Sequence, residues 1–127
     1  MTITSKELSE ISKMLFVKAG LCDEDASVIA SDLVAANLRR LDSHGVSRIP
    51  MYIERIRRGV VNPRPIIKVE RITSAVARVD GDNGMGFLAG HRAMSEAVSL
   101  AAESGIGLVG LSIVRIKEWP PFMRCRQ

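Results

Sequence analysis

Asn62-Pro63-Arg64-Pro65 divides the chain into two stretches that cannot belong to one regular element. Neither proline has a backbone N–H to donate, and each disfavours helix in the residue before it, so these four residues predict an extended connection. Ahead of them, apolar residues recur at three- and four-residue steps. Behind them the pattern first alternates, then returns to the helical period, then becomes a short apolar run. This order predicts a mixed α/β chain: a three-helix segment, a β-hairpin, a fourth helix and a buried strand.

Thr4-Ser5-Lys6-Glu7 has the form of a capping box, and Leu8, Ile11, Leu15 and Ala19 supply the stripe of a first helix that stops at Gly20. Asp23 is the expected cap of a second helix with Ala26, Ile29, Ala30, Leu33 and Val34 buried, Arg39 and Arg40 in its last turn, and an end near Leu41. A third helix carries Ile49, Ile53 and Ile56 on one side and stops at Gly59. Pro50 fits only a first turn, which places the start of this helix between Val46 and Ile49.

In the second stretch, Ile67 to Ile72 and Ala75 to Val79 predict two strands joined by a Thr73-Ser74 turn. Gly81-Asp82-Asn83-Gly84-Met85-Gly86 reads as a flexible loop before a fourth helix whose buried face is Leu88, Met94, Ala97, Val98 and Ala101. The glycine order, Gly81-x-x-Gly84-x-Gly86, reverses the dinucleotide fingerprint, so a turn and a permissive helix entry explain it better. Ser104-Gly105 ends the helix, and Ile106 to Val114 predicts a strand covered on both faces.

The residues with chemical potential lie between the second and third helices, in Leu41-Asp42-Ser43-His44-Gly45-Val46 followed by Arg48 and Tyr52. His44, Arg48 and Tyr52 stand at four-residue steps, the spacing that puts side chains on one helical face. Because Pro50 makes His44 precede the helix, a wall of all three depends on how Ser43-His44-Gly45 turns. An imidazole transfers protons near neutral pH, and a guanidinium fork holds a carboxylate. Together they suit reduction of a 2-oxo acid, where the carbonyl oxygen takes a proton while the adjacent carboxylate is gripped. The same residues also read as a capped turn, with Asp42 and Ser43 as capping groups, Gly45 as the turn residue and His44 as a hydrogen-bonded structural side chain.

Composition narrows the alternatives. The 127 residues, 46% of them hydrophobic, suffice for one cored domain and predict a globular chain. Its apolar runs are too short for a bilayer span, and the opening residues lack a secretory pattern, so a cytoplasmic protein without membrane contact is expected. Cys22 and Cys125 make no disulfide framework and no metal-type spacing with His44 or His91; no metal site is expected. Most of the formal charge of +4 falls after Val114, on Arg115, Lys117, Arg124 and Arg126. With neither a basic stripe nor an aromatic platform, nucleic acid is not an expected partner.

The run from about Lys6 to Leu111 resembles the N-terminal part of the malate/L-lactate dehydrogenase family, the type-2 kind unrelated to Rossmann dehydrogenases. The resemblance rests on Asp42-Ser43-His44-Gly45-Val46-x-Arg48-Ile49-Pro50-x-Tyr52, on Gly59-x-x-Asn62-Pro63, on Val79-Asp80-Gly81-Asp82-Asn83-Gly84-x-Gly86, and on the Ala102 to Gly107 helix end. It implies a mixed α/β fold with its own cofactor topology, NAD or NADP as cofactor, a small 2-hydroxy or 2-oxo acid as substrate, and a homodimer. By that resemblance His44 is the catalytic proton donor or a substrate-binding group, Arg48 faces the substrate carboxylate, and Ser43 and Tyr52 bind close by; no cofactor-binding residue is assigned.

Family members continue beyond this strand into an Asn-x-Asn-His-type loop and the central cofactor-binding region, whereas here Arg115-Ile116-Lys117-Glu118-Trp119-Pro120-Pro121 follows. Residues 1–114 are therefore expected to form the N-terminal part of the family fold, in a truncated member with a divergent, poorly ordered tail at 115–127. Two functions follow: an NAD(P)-dependent 2-hydroxy-acid oxidoreductase, or a catalytically inactive fragment or interaction module with open strand edges.

Overall fold

The computed structural model describes residues 2–113; the tail expected at 115–127 lies outside them. The chain divides at the proline-rich connection into two compact units, the first ending at Pro65 and the second beginning at Ile66.

The first unit holds α1 (Ser5–Lys18), α2 (Asp23–Leu38), two short 3-10 turns (Asp42–His44 and Val46–Arg48) and α3 (Ile49–Arg57). The capping box of α1 is present: the Glu7 N–H donates to Thr4 Oγ1 at 3.2 Å, and Thr4 N–H donates to Glu7 Oε2 at 2.9 Å. The Thr4 N–H and, at 2.7 Å, the Thr4 hydroxyl both donate to the Glu7 carboxylate and hold it below the ordinary carboxylate range. Its buried face, however, is Ser12 and Phe16, whereas Ile11 and Leu15 of the expected stripe are exposed. The structure buries the side that carries the helix's only aromatic ring, and leaves Met14 and Val17 exposed together with Ile11 and Leu15. Ser12 enters that face at little cost because its hydroxyl donates to the Leu8 carbonyl at 2.7 Å.

All five positions expected inside on α2 are buried. Its cap is Cys22 rather than Asp23: the Asp25 N–H points at Cys22 Sγ, and Asp23, Glu24 and Asp25 fill the positive first turn. α3 begins as Pro50 requires, buries Ile49 and Ile56, and is followed by Gly59 at φ +70°.

The second unit is a three-stranded sheet with one helix, in the order β1 (Lys68–Arg71), β2 (Val76–Asp80), α4 (Gly86–Ser104), β3 (Leu108–Ser112). β1 and β2 form the antiparallel hairpin, and β3 returns through α4 to lie parallel to β2, with Val76 opposite Leu108 and Asp80 opposite Ser112. Gly105 closes α4 at φ +80°, the left-handed position that glycine takes without strain. Arg71 ties β1 to the helix, donating from Nε to Glu96 at 2.6 Å and from Nη1 to Glu103 at 2.9 Å.

Two expectations about burial in this unit are corrected. α4 buries Leu88, Ala89 and Leu100, while Met94 and Val98 are exposed. The helix comes closest at small residues, since a Cβ at Gly107 would collide with the Ala97 carbonyl and one at Gly81 would stand 3.0 Å from the Ala89 methyl, while Leu88 and Leu100 supply the buried bulk. β3 occurs where expected but is not covered on both faces, with Leu108 64% exposed. It is an edge of the described sheet, and β2 occupies the centre with Ala77 and Val79 buried.

The Gly81 to Gly84 segment is a tied turn rather than a loose loop. Gly81 N–H donates to Ser112 O at 2.7 Å, Asn83 N–H to Ile113 O at 2.9 Å, and Gly84 N–H to Gly81 O at 2.9 Å. Asp82 N–H donates to Asp80 Oδ1, and the buried Asp82 carboxylate accepts from the Ile66 N–H. Among the described residues no helix is long and apolar enough to cross a membrane.

Candidate active site

The corner after α2 begins with a left-handed residue. Leu41 N–H donates to Ala36 O and Arg40 N–H to Asn37 O, which closes the helix while Arg40 sits at φ +60°. The chain then makes the first 3-10 turn, passes through Gly45 in an extended conformation, and makes the second turn directly into α3. Extended Gly45 sets His44 off the axis of α3, as the position of Pro50 required.

Ser43 joins the two principal side chains. Its Oγ lies 2.9 Å from His44 Nδ1, and its carbonyl accepts from Arg48 Nε at 2.6 Å. A hydroxyl both donates and accepts, so Ser43 can hold Nδ1 in either protonation state of the ring, and this contact does not use Nε2. Nε of arginine carries one hydrogen, and here it is engaged. The end-on pair Nη1 and Nη2 is what the fork could offer an anion, with Nη1 also resting 3.7 Å from Met51 Sδ. Tyr52 stands one turn beyond Arg48 on α3 and is half-buried. The structure thus gathers Ser43, His44 and Arg48 around one residue; Tyr52 shares the Arg48 side of the helix.

Asn37 was not singled out from the sequence. It lies in the last turn of α2, where its Nδ2 donates to Asp42 Oδ1 at 2.6 Å and its Oδ1 accepts from Val46 N–H at 2.9 Å. Ser47 Oγ adds a 2.7 Å bond to Asp42 O. The only sequence signal for Asn37 was an amide side chain one turn before a glycine-containing corner.

The nucleotide question has a physical answer in the second unit. A phosphate cradle needs backbone N–H groups directed at the ligand. In the glycine turn the N–H groups of Gly81, Asp82, Asn83 and Gly84 are all engaged within the fold. That turn does not fit a dinucleotide.

Comparison with known proteins places these observations. Residues 3–114 match the malate/L-lactate dehydrogenase family, and the chain belongs to that family. Malate dehydrogenase of Pyrococcus horikoshii is 42% identical over 95 residues, covering 75% of this chain and 26% of the relative. The structure of that enzyme superposes with a TM-score of 0.81 at 38% identity, over 86% of this chain and 31% of the other. L-sulfolactate dehydrogenase of Methanocaldococcus jannaschii is 40% identical over 92 residues, or 72% of this chain and 27% of the relative. Its structure gives a TM-score of 0.83 at 34% identity, over 87% of this chain and 32% of the other. The NAD(+) ureidoglycolate dehydrogenase of Escherichia coli is 33% identical over 88% of this chain and 32% of its own length. The chain spans between a quarter and a third of the length of these relatives.

Proposed function

We propose that this chain is the acid-binding and proton-transferring part of an oxidoreductase that interconverts a 2-hydroxy acid and a 2-oxo acid with NAD or NADP. The reading rests on one observation: Ser43 holds the His44 imidazole by its hydroxyl and the Arg48 guanidinium by its carbonyl, in a chain of a dehydrogenase family. Relatives named for malate, sulfolactate and ureidoglycolate share a substrate pattern, a carboxylate beside a carbon bearing oxygen.

In this proposal Arg48 grips the carboxylate end-on, which fixes the neighbouring carbon and its oxygen against His44 Nε2. During reduction Nε2 gives its proton to the forming alkoxide, and during oxidation it takes the hydroxyl proton. Ser43 keeps the ring oriented throughout, and Tyr52 borders the acid from α3. Hydride chemistry belongs to the cofactor, and no step is assigned to the glycine turn, whose amides are engaged. A homodimeric assembly goes with this reading as a family property.

The test is titration of the full chain with L-malate, followed through the imidazole resonances of His44 and the Nε–H resonance of Arg48. Saturable shifts at both are expected. Arg48→Ala removes a charge-assisted contact worth about 1.5–3 kcal/mol, so binding should weaken roughly 10- to 150-fold. No L-malate response at either residue, or an Arg48→Ala affinity equal to wild type, refutes the assignment. Parallel titration with NADH and NADPH asks whether this chain holds the nucleotide by itself.

A further inference from the structure

We infer that Asn37 is a positioning residue for the proposed site, the strut that fixes the orientation of the His44 imidazole from the end of α2. The inference rests on the acid-binding reading for its functional meaning and on geometry for its substance. His44 has no helix beneath it: it ends one 3-10 turn, and extended Gly45 separates it from the next. The backbone bonds of this corner are single-turn ones, His44 N–H to Leu41 O, Gly45 N–H to Asp42 O, Arg48 N–H to Gly45 O and Ile49 N–H to Val46 O, and none of them spans His44 from one turn to the other.

The Asn37 amide spans this corner from outside. Its nitrogen holds the Asp42 carboxylate two residues before His44, and its oxygen holds the Val46 N–H two residues after it. One rigid planar group thus grips both sides of the histidine. Asp42 is fixed a second time by Ser47 Oγ on its carbonyl.

Gly45 supplies independent support. A Cβ at position 45 would fall on the Asn37 amide, with Nδ2 only 2.7 Å away and Oδ1 and Cγ nearer still. Gly45 has φ −94° and ψ −154°, a conformation open to other residues, so glycine here is required by the neighbouring amide and not by the backbone. Asn37 and Gly45 form one device: the absent side chain makes room for the amide that braces the corner.

A residue serving stability alone and a residue orienting an imidazole differ in what their loss does to the folded chain. The experiment compares wild type, Asn37→Ala, the milder Asn37→Ser, Gly45→Ala and the double variant Asn37→Ala/Gly45→Ala in the full chain. It reads Val46 amide exchange, the His44 imidazole nitrogen shifts that report the Nδ1/Nε2 tautomer balance, and the Kd for L-malate. Asn37→Ala is expected to speed Val46 exchange at least tenfold and to move the His44 tautomer balance toward that of a free imidazole. Gly45→Ala, which keeps Asn37 but displaces its amide, should reproduce the same His44 signature, and the double variant should be no worse than either single one. His44 nitrogen shifts that stay at wild-type values in folded Asn37→Ala or Asn37→Ser, or a double variant with fully additive losses, overturn the inference. If wild type fails to bind L-malate while the His44 signature moves as expected, the acid-binding reading falls and the positioning of His44 by Asn37 stands.

Discussion

Substituting Phe16 and Leu15 separately by alanine tests which side of α1 the fold uses. Phe16 is fully buried, whereas Leu15, its chain neighbour and a member of the apolar stripe expected from the sequence, is 40% exposed. Truncating a buried phenylalanine removes its transfer free energy and leaves a cavity, together about 3–5 kcal/mol. Complete burial of a leucine side chain is worth roughly 1.5–3 kcal/mol, and Leu15 is only partly removed from water, so its truncation should cost about 1 kcal/mol. The difference of roughly 2–4 kcal/mol is a large share of the 5–15 kcal/mol that holds typical domains folded. Urea unfolding followed by far-ultraviolet circular dichroism measures it. At a slope of about 1–3 kcal/mol per molar urea, the Phe16→Ala midpoint should lie at least roughly 0.7 M below that of Leu15→Ala, with the slope unchanged. Equal midpoints, or a larger loss from Leu15→Ala, would mean that α1 is rotated and that the packing described for it is wrong.

Arg40→Gly should raise the urea midpoint of the first unit, because a side chain at φ +60° costs about 1–2 kcal/mol that glycine avoids, less the added freedom of the unfolded chain; a lowered midpoint contradicts the strain. Gly107→Ala should destabilise the second unit sharply, since the new methyl meets the Ala97 carbonyl, and amide exchange along β3 should speed up with it. Glu103→Gln tests the Arg71 clamp by pH. Hydrogen bonding from Arg71 holds the Glu103 carboxyl below its ordinary 4.5, so its stabilisation is present above that value and fades as the pH falls through the depressed one. Wild type should therefore exceed Glu103→Gln in stability at neutral pH, with the gap closing in acid; a gap that is constant down to strongly acid pH speaks against the clamp.

Much of the first unit was legible in the sequence because several local rules agreed there. The five apolar positions expected inside on α2 all proved buried. The capping box of α1 and the placement of Pro50 in the first turn of α3 fixed two helix starts. Where two answers were available, periodicity chose badly. α1 and α4 are apolar on more than one side, so spacing admitted Leu15 or Phe16, and Met94 or Ala89; long-range approach to α2 or to the sheet made the choice. The tied glycine turn escaped notice because its bonds run to Ser112 and Ile113, about thirty residues away in sequence and beyond the reach of any local rule. At the candidate site, His44 and Arg48 were visible as chemically capable side chains at a break in pattern. Their common attachment to Ser43 was not visible, nor was the brace from Asn37, because both depend on the path of a corner that no periodicity describes.

A hairpin carries its own ruler, since the turn fixes which residues face each other, but two parallel strands joined through a nineteen-residue helix have none. The turn after β2 supplies one. By seizing the carbonyls of Ser112 and Ile113, it dictates where β3 must stop sliding, and a slip by a single residue would forfeit both bonds while turning every side chain of that strand to the wrong side. The Asp82-Asn83 pair, at φ +49° and +57°, is therefore a latch for strand alignment, and its strained backbone is the cost of an accurate sheet.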